Sequence, residues 1–273
     1  MTSLRDAIYG AAIGDALGVP YEFMSRGSFI ASDMIGYGSH DMPEGTWSDD
    51  TTMTLALCDS LRVNDKRIVL DDIRKRFKSW IEEGCYTVDG KAFDVGIITY
   101  DSIVTGIARN DIRSNGNGSL MRTIPLAFID CTDDDVRAVS AITHAHETSM
   151  EACVIYVNVA KRLIGGEHLV DIINSLEVGE VFHNIKNIFE LEEENIRSGG
   201  YVVDTLIASL WSLVNTDNYK DAVLKAVNLG NDTDTTAIVA GALAGIIYGY
   251  DAIPKRWIEL LKNKELIESC LFS

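Results

Sequence analysis

The chain has 273 residues, 47% of them hydrophobic, which is enough to bury a large core as one domain or a tight pair. Its 24 basic residues against 41 acidic ones leave a net charge of −17, which argues against a broad nucleic-acid footprint but permits a small anionic ligand held by metal ions or a few local arginines. Five cysteines, Cys58, Cys85, Cys131, Cys153 and Cys270, are odd in number and lack C-x-x-C spacing, a pattern of reduced cytosolic thiols rather than a disulfide framework or a zinc site.

Residues 2–18 carry the apolar spacing of a helix through Leu4, Ile8, Ala11, Ala12 and Leu17, with Thr2 or Ser3 placed to cap it. No secretory signature is visible, because Asp15 interrupts a short apolar segment. Gly18-Val19-Pro20 ends the helix, since proline cannot continue one and restricts the residue before it. Residues 24–47, rich in glycine, read as an irregular loop, and a loop this long inside a compact domain is usually functional or mobile. Helices are predicted over 49–61, where Met53, Leu55, Ala56, Leu57 and Leu61 give a broad buried face, and over 69–83 through Ile73, Phe77, Trp80 and Ile81. Further helical patterns cover 94–108, 134–142, 147–164, 167–176, 201–214 and 218–228. The most apolar stretch, Ala237 to Tyr250, is shorter than the roughly 20 residues of a membrane span, so it reads as a buried helix of a cytoplasmic protein. Gly241, Gly245 and Gly249 line one face of it, a pattern of close helix packing. Strand-like alternation is nearly absent and no linker divides the chain, so the sequence predicts a single, mainly α-helical domain over 1–273.

Two acidic clusters stand out. Ser48-Asp49-Asp50-Thr51 and Asp232-Thr233-Asp234-Thr235 each place carboxylates among hydroxyls at the start of an apolar helix. Helix capping accounts for either one alone, because Ser, Thr and Asp are favoured N-caps and acids suit the first turn. Four aspartates exceed what two caps require, and the first helix lacks the Glu of a capping box. Brought together by the fold, the four would repel one another, and a divalent cation would relieve that repulsion. Oxygen donors without neighbouring Cys or His point to Mg²⁺ or Mn²⁺ rather than zinc.

The run from Ser114 to Arg122 contains Asn115-Gly116-Asn117-Gly118, which offers free backbone N–H groups and positive-φ positions suited to a phosphate or hydroxylated ring, with Arg122 available to an anion; an ordinary Asn-Gly turn is the alternative. His144 and His146 have neither the zincin spacing nor a Cys companion, so a histidine at a helix start, bonding substrate or backbone, is the better reading. Glu22 and Asp94 are lone acids at glycine or proline bends.

Taken in order, Gly14-Asp15-Ala16-Leu17-Gly18 with Tyr21-Glu22, Ser48-Asp49-Asp50-Thr51, Asp94-Val95-Gly96, Asn115 to Arg122, Thr143-His144, Gly199-Gly200-Tyr201 and Val227 to Thr235 resemble the ADP-ribosylglycohydrolase family nearly end to end. The resemblance implies an all-α orthogonal bundle with a central cleft holding two divalent cations, Mg²⁺ or Mn²⁺. It implies metal ligation by Ser48, Asp49, Asp50, Asp232, Asp234 and Thr235, with Ser48 standing where the family often has Thr. It places Asn117, Gly118, Ser119 and Met121 on the loop that holds ADP-ribose, His144 against the ligand, and Gly200 and Tyr201 over the distal ribose. Glu22 and Asp94 would be the catalytic carboxylates, in roles the sequence does not separate. The expected reaction is hydrolysis of the N-glycosidic bond between ADP-ribose and a protein side chain, most often arginine, through an oxocarbenium-like transition state. The partner would be an ADP-ribosylated protein or a small ADP-ribose conjugate, acted on by a monomer. The alternatives are a same-fold hydrolase of ADP-ribosyl-serine or O-acetyl-ADP-ribose, a metal-independent two-carboxylate glycosidase, and a non-catalytic ADP-ribose-binding module.

Overall fold

A computed structural model describes residues 2–273. Among the described residues it contains twelve α-helices and no strand beyond isolated bridges. They are α1 (Leu4–Gly18), α2 (Asp49–Val63), α3 (Leu70–Glu83), α4 (Ile97–Thr105), α5 (Asp133–Ser140), α6 (Glu147–Ile164), α7 (Leu169–Ser175), α8 (Val202–Val214), α9 (Tyr219–Asn228), α10 (Thr233–Tyr248), α11 (Lys255–Leu260) and α12 (Lys264–Cys270). Ten of these fall where the periodicity predicts; α11 and α12 lie outside the predicted segments. No described helix is long and apolar enough to cross a membrane, and all five cysteines are free.

Local chemistry sets the helix ends. Ser3 and Asp6 form a capping box at the start of α1, and Thr132 and Asp135 form another at α5. The helix expected to begin at Asp94 begins instead at Ile97, because Asp94 has φ 56°, a left-handed conformation no helix interior admits. Gly106, with φ 71°, then closes α4 at Thr105.

The fold is organised around α1 and α10. A methyl group added at Gly10 would meet the Gly241 carbonyl oxygen at 2.3 Å, and one at Gly14 would meet the Ala237 oxygen at 2.2 Å. Asp6 lies against Gly245 and Gly18 against Asp234, so the helices run antiparallel with their backbones in direct contact. Gly241 and Gly245 therefore act as the packing notches their spacing predicts. Gly249 does not: it sits at the C-cap with φ 79° and open space around it. The close crossing delivers the C-terminal end of α1, which carries Asp15, to the N-terminal end of α10, which carries Asp232 and Asp234.

Candidate active site

The start of α2 shows why its aspartates are free for other work. Ser48 is the N-cap, and its hydroxyl accepts from the Asp50 amide at 3.2 Å. The missing acid of the capping box comes from another helix. Asp15 on α1, fully buried, accepts from the Ser48 amide at 2.9 Å, the Thr51 amide at 3.0 Å and the Thr51 hydroxyl at 2.6 Å. Capping is thereby satisfied without Asp49 or Asp50. At α10, Asp232 occupies the N-cap position but makes no capping bond; its Oδ2 accepts from Asn117 Nδ2 at 2.9 Å. Glu22 is anchored beside it: the Phe23 amide donates to Asn231 O at 2.7 Å and the Asn231 amide to Met24 O at 2.8 Å.

Three carboxylate oxygens, one each on Asp50, Asp232 and Asp234, are buried with no hydrogen-bond partner. Such orphans are costly, and each needs an explanation. Burial pushes Asp49, Asp50, Asp232 and Asp234 above the ordinary carboxylate range; neighbouring carboxylates add to the shift. Glu22 rises to about 7 through burial, against the bond from His40, and Asp15 to about 6 through burial, against its four hydrogen bonds. Orphaned oxygens, hydroxyls and mutual repulsion together fit hard divalent cations. Glu22, Asp232 and Asp234 present ligand atoms all within 4.8 Å of one another, and so do Glu22, His40 and Asp94. Glu22 thus stands in a possible donor set as well as among the candidate proton carriers.

Glu22, Asp49, Asp50, Asp94 and Asp232 line one side of a cleft of about 460 Å³. The other side is the Asn-Gly run, zipped to the segment before α8 by the Asn117 amide on Gly200 O at 3.1 Å and the Val202 amide on Asn115 O at 3.0 Å. His144 packs against this run and also borders the cleft. A methyl at Gly118 would lie 2.9 Å from both the His144 ring and the Thr99 hydroxyl, and one at Gly116 would lie 3.4 Å from His144 Nε2. Neither glycine has a positive φ among the described residues, so this loop needs glycine for clearance and not for the left-handed backbone its composition predicts. Burial and nearby Arg122 lower His144 to about 3, which keeps its imidazole neutral. Its Nδ1 lies 2.8 Å from Thr143 Oγ1, which already accepts from Arg122 at 2.8 Å. The neutral ring offers one N–H donor and one acceptor nitrogen, with Nδ1 engaged by Thr143.

The ADP-ribosylglycohydrolase family model matches residues 2–272. The chain belongs to the ADP-ribosylglycohydrolase family. It is 32% identical to the ADP-ribosylarginine hydrolase Tri1 of Serratia proteamaculans, over 97% of this chain and 76% of that protein. It is 34% identical to the ADP-ribosyl-[dinitrogen reductase] glycohydrolase of Rhodospirillum rubrum, over 94% of this chain and 90% of that one. A solved structure titled an ADP-ribosylglycohydrolase-related protein complex superposes with a TM-score of 0.80 at 27% identity, over 97% of this chain and 94% of that one. The protein is an enzyme of the glycohydrolase class, with an all-α fold.

Within this glycohydrolase, the sequence-predicted residues do not all face the cleft. Glu22, Asp49, Asp50, Asp94, Asn117, Gly118, Met121, His144, Asp232 and Thr235 do. Asp234 joins them through Glu22 and Asp232, and Gly200 borders an adjoining recess, with Tyr201 half-exposed beside it. Ser48 does not border the cleft, and its hydroxyl, which accepts one capping bond, keeps a second lone pair. Ser119 is fully buried, its hydroxyl bonded to Ser140 at 2.9 Å, so its side chain faces the core and not the ligand space. Arg122 is fully buried too. It donates to Gly118 O at 2.6 Å and to Thr143, and lies over Phe77, which makes it a strut beneath the loop rather than the anion partner its position suggests. His146 is the cap of α6, accepting from the Thr148 amide at 3.2 Å.

Three participants escape sequence reasoning. Asp15 lies in the Gly14–Gly18 motif and shows as a polar residue inside an apolar helix, but its sequence context assigns it no role. Thr205, which accepts from Asn117 Nδ2 at 2.9 Å, carries none. His40 lies in the long loop and gives no local hint, yet its Nε2 bonds the Glu22 carboxylate.

Proposed function

We propose that this cleft hydrolyses the N-glycosidic bond joining ADP-ribose to a protein arginine side chain, with Mg²⁺ or Mn²⁺ held by Asp49, Asp50, Asp232, Asp234, Thr235 and Ser48. The observation that carries the reading is the convergence of buried, partnerless carboxylate oxygens opposite a glycine-bounded wall carrying a neutral histidine. Bound there, two such ions would supply positive charge that offsets the carboxylates and polarises the oxygen groups they contact. The chain's own residues do the rest. The His144 ring and the Gly118 amide orient the ADP-ribose, whose distal ribose then lies under Gly200 and Tyr201. Glu22 and Asp94 flank the reacting end of the cleft, where a carboxylate can take a proton from the attacking water and return one to the leaving group. An acidic wall of this kind also favours a cationic guanidinium over a neutral leaving group. The name of the relative in Serratia, an ADP-ribosylarginine hydrolase, supports the same choice.

The test is release of ADP-ribose from ADP-ribosylarginine by the Asp49→Asn and Asp234→Asn variants, assayed singly with saturating Mn²⁺. Each is expected to lose about 100-fold or more of kcat/KM. Full activity in both would remove the metal-centred reading.

A further inference from the structure

The long loop between α1 and α2 contains a tight turn at Gly38–His40. Tyr37 and Met42 pair backbone to backbone across its base, and Tyr37, Gly38 and Asp41 have φ of 67°, 70° and 55°. Bulky Tyr37 does not adopt such a backbone without outside support. The support is the segment carrying Glu22. A methyl on Gly38 would meet the Pro20 carbonyl oxygen at 2.0 Å, so the turn lies directly on that backbone. Ser39 donates its hydroxyl to the Glu22 carbonyl, and His40 Nε2 bonds the Glu22 carboxylate.

The same ring reaches the second candidate acid. His40 Nε2 is 3.8 Å from Asp94 Oδ2, and all three side chains are largely buried. The ring is held on two sides, 5.7 Å from Phe23 and 5.5 Å from Phe93, centroid to centroid. Those aromatics are the chain neighbours of Glu22 and Asp94. Phe23 and Asp94 are themselves left-handed, with φ of 63° and 56°. Two strained corners, each carrying an acid and an aromatic, therefore meet on one histidine supplied by a third.

We propose that His40 is a positioning residue, which fixes the Glu22 carboxylate against Asp94 at the reacting end of the cleft. The inference rests on the hydrolase reading above and adds to it the element that holds the two acids in register. It is a role through Glu22: the ring does not border the cleft, whereas Glu22 and Asp94 do. A Gln side chain is the conservative replacement, because its amide nitrogen extends about as far from the backbone as Nε2 and retains an N–H donor.

The test measures kcat and KM for ADP-ribosylarginine in wild type, His40→Ala, His40→Gln, Glu22→Gln and the double variant His40→Ala/Glu22→Gln. Unfolding temperature and ADP-ribose binding serve as checks that each variant is folded. His40→Ala is expected to lower kcat roughly 10- to 100-fold with KM within about 3-fold, and His40→Gln to recover most of the loss. In the Glu22→Gln background His40→Ala should cost little more, because its partner is already gone. Additive losses, equal losses in the Ala and Gln variants, or a raised KM at unchanged kcat would each overturn the proposal. Should His40→Ala fail to fold, His40→Leu, which fills the space without a donor, takes its place with and without Glu22→Gln and is judged by the same criterion. A wild-type protein that releases no ADP-ribose overturns the hydrolase reading, and this inference with it; wild-type turnover with additive losses overturns this inference alone.

Discussion

Replacing Gly10 with alanine tests the contact on which the fold is organised. The new methyl would lie 2.3 Å from the Gly241 carbonyl oxygen and 3.0 Å from Gly245 Cα. Carbon and oxygen approach comfortably only to about 3.3 Å, so α1 and α10 would have to part by roughly 1 Å. The obstacle is helix backbone, which cannot swing aside as a side chain would. Overpacking a tight core costs about 1–3 kcal/mol, and this geometry belongs at the upper end. Against that, Gly→Ala inside a helix returns about 1 kcal/mol of propensity. The clash outweighs the propensity, leaving a net loss of roughly 2 kcal/mol, or about 4–8 °C in Tm for a chain of this size. Thermal unfolding followed by circular dichroism in EDTA reads the effect without metal linkage. Gly179→Ala is the control, since that position is extended with nothing within 4 Å, and it should move Tm by no more than about 1–2 °C. A Gly10→Ala protein as stable as wild type, or a control that falls as far, would refute the reasoning.

Other consequences are as direct. Glu22 and Asp15 are raised to about 7 and about 6, so the folded, metal-free protein holds protons that the unfolded chain has already released. Its stability contribution from these groups is therefore lost as pH rises through 6 to 7, and a divalent cation competes with the Glu22 proton. The Tm gained on adding Mn²⁺ to EDTA-treated protein should be largest above pH 7 and shrink as pH falls through 7 to 6; a gain that is flat or larger at pH 5.5 contradicts this. Asp15→Ala strips acceptors from the Ser48 and Thr51 amides and should destabilise the protein by about 2–3 kcal/mol in chemical denaturation, whereas an unchanged midpoint would show that water replaces the carboxylate. Arg122→Lys cannot reach both Gly118 O and Thr143 Oγ1, so ADP-ribose affinity measured by calorimetry should fall about 10-fold or more, and undiminished affinity would remove the strut.

The helices were legible because their signal is local. The periods of 69–83 and 147–164 reappear as α3 and α6 within a residue at either end, and the small-residue face of Ala237–Tyr250 marks the helix that packs most closely. The two acidic clusters were legible for the same reason, as an excess of carboxylate over what capping uses. What the sequence could not determine is which polar groups the fold satisfies. The capping acid for α2 comes from Asp15 on α1, and only that long-range bond explains why Asp49 and Asp50 are free. Arg122 and Ser119 look like ligand contacts in the string of residues, yet both turn inward, because the loop that carries them packs its far side on α5 and α6. His40 is silent in sequence and stands between two candidate acids in space. Periodicity and capping are short-range properties written in neighbouring residues. Desolvation and charge coupling depend on who lies opposite whom, and the crossing of α1 with α10 decides that.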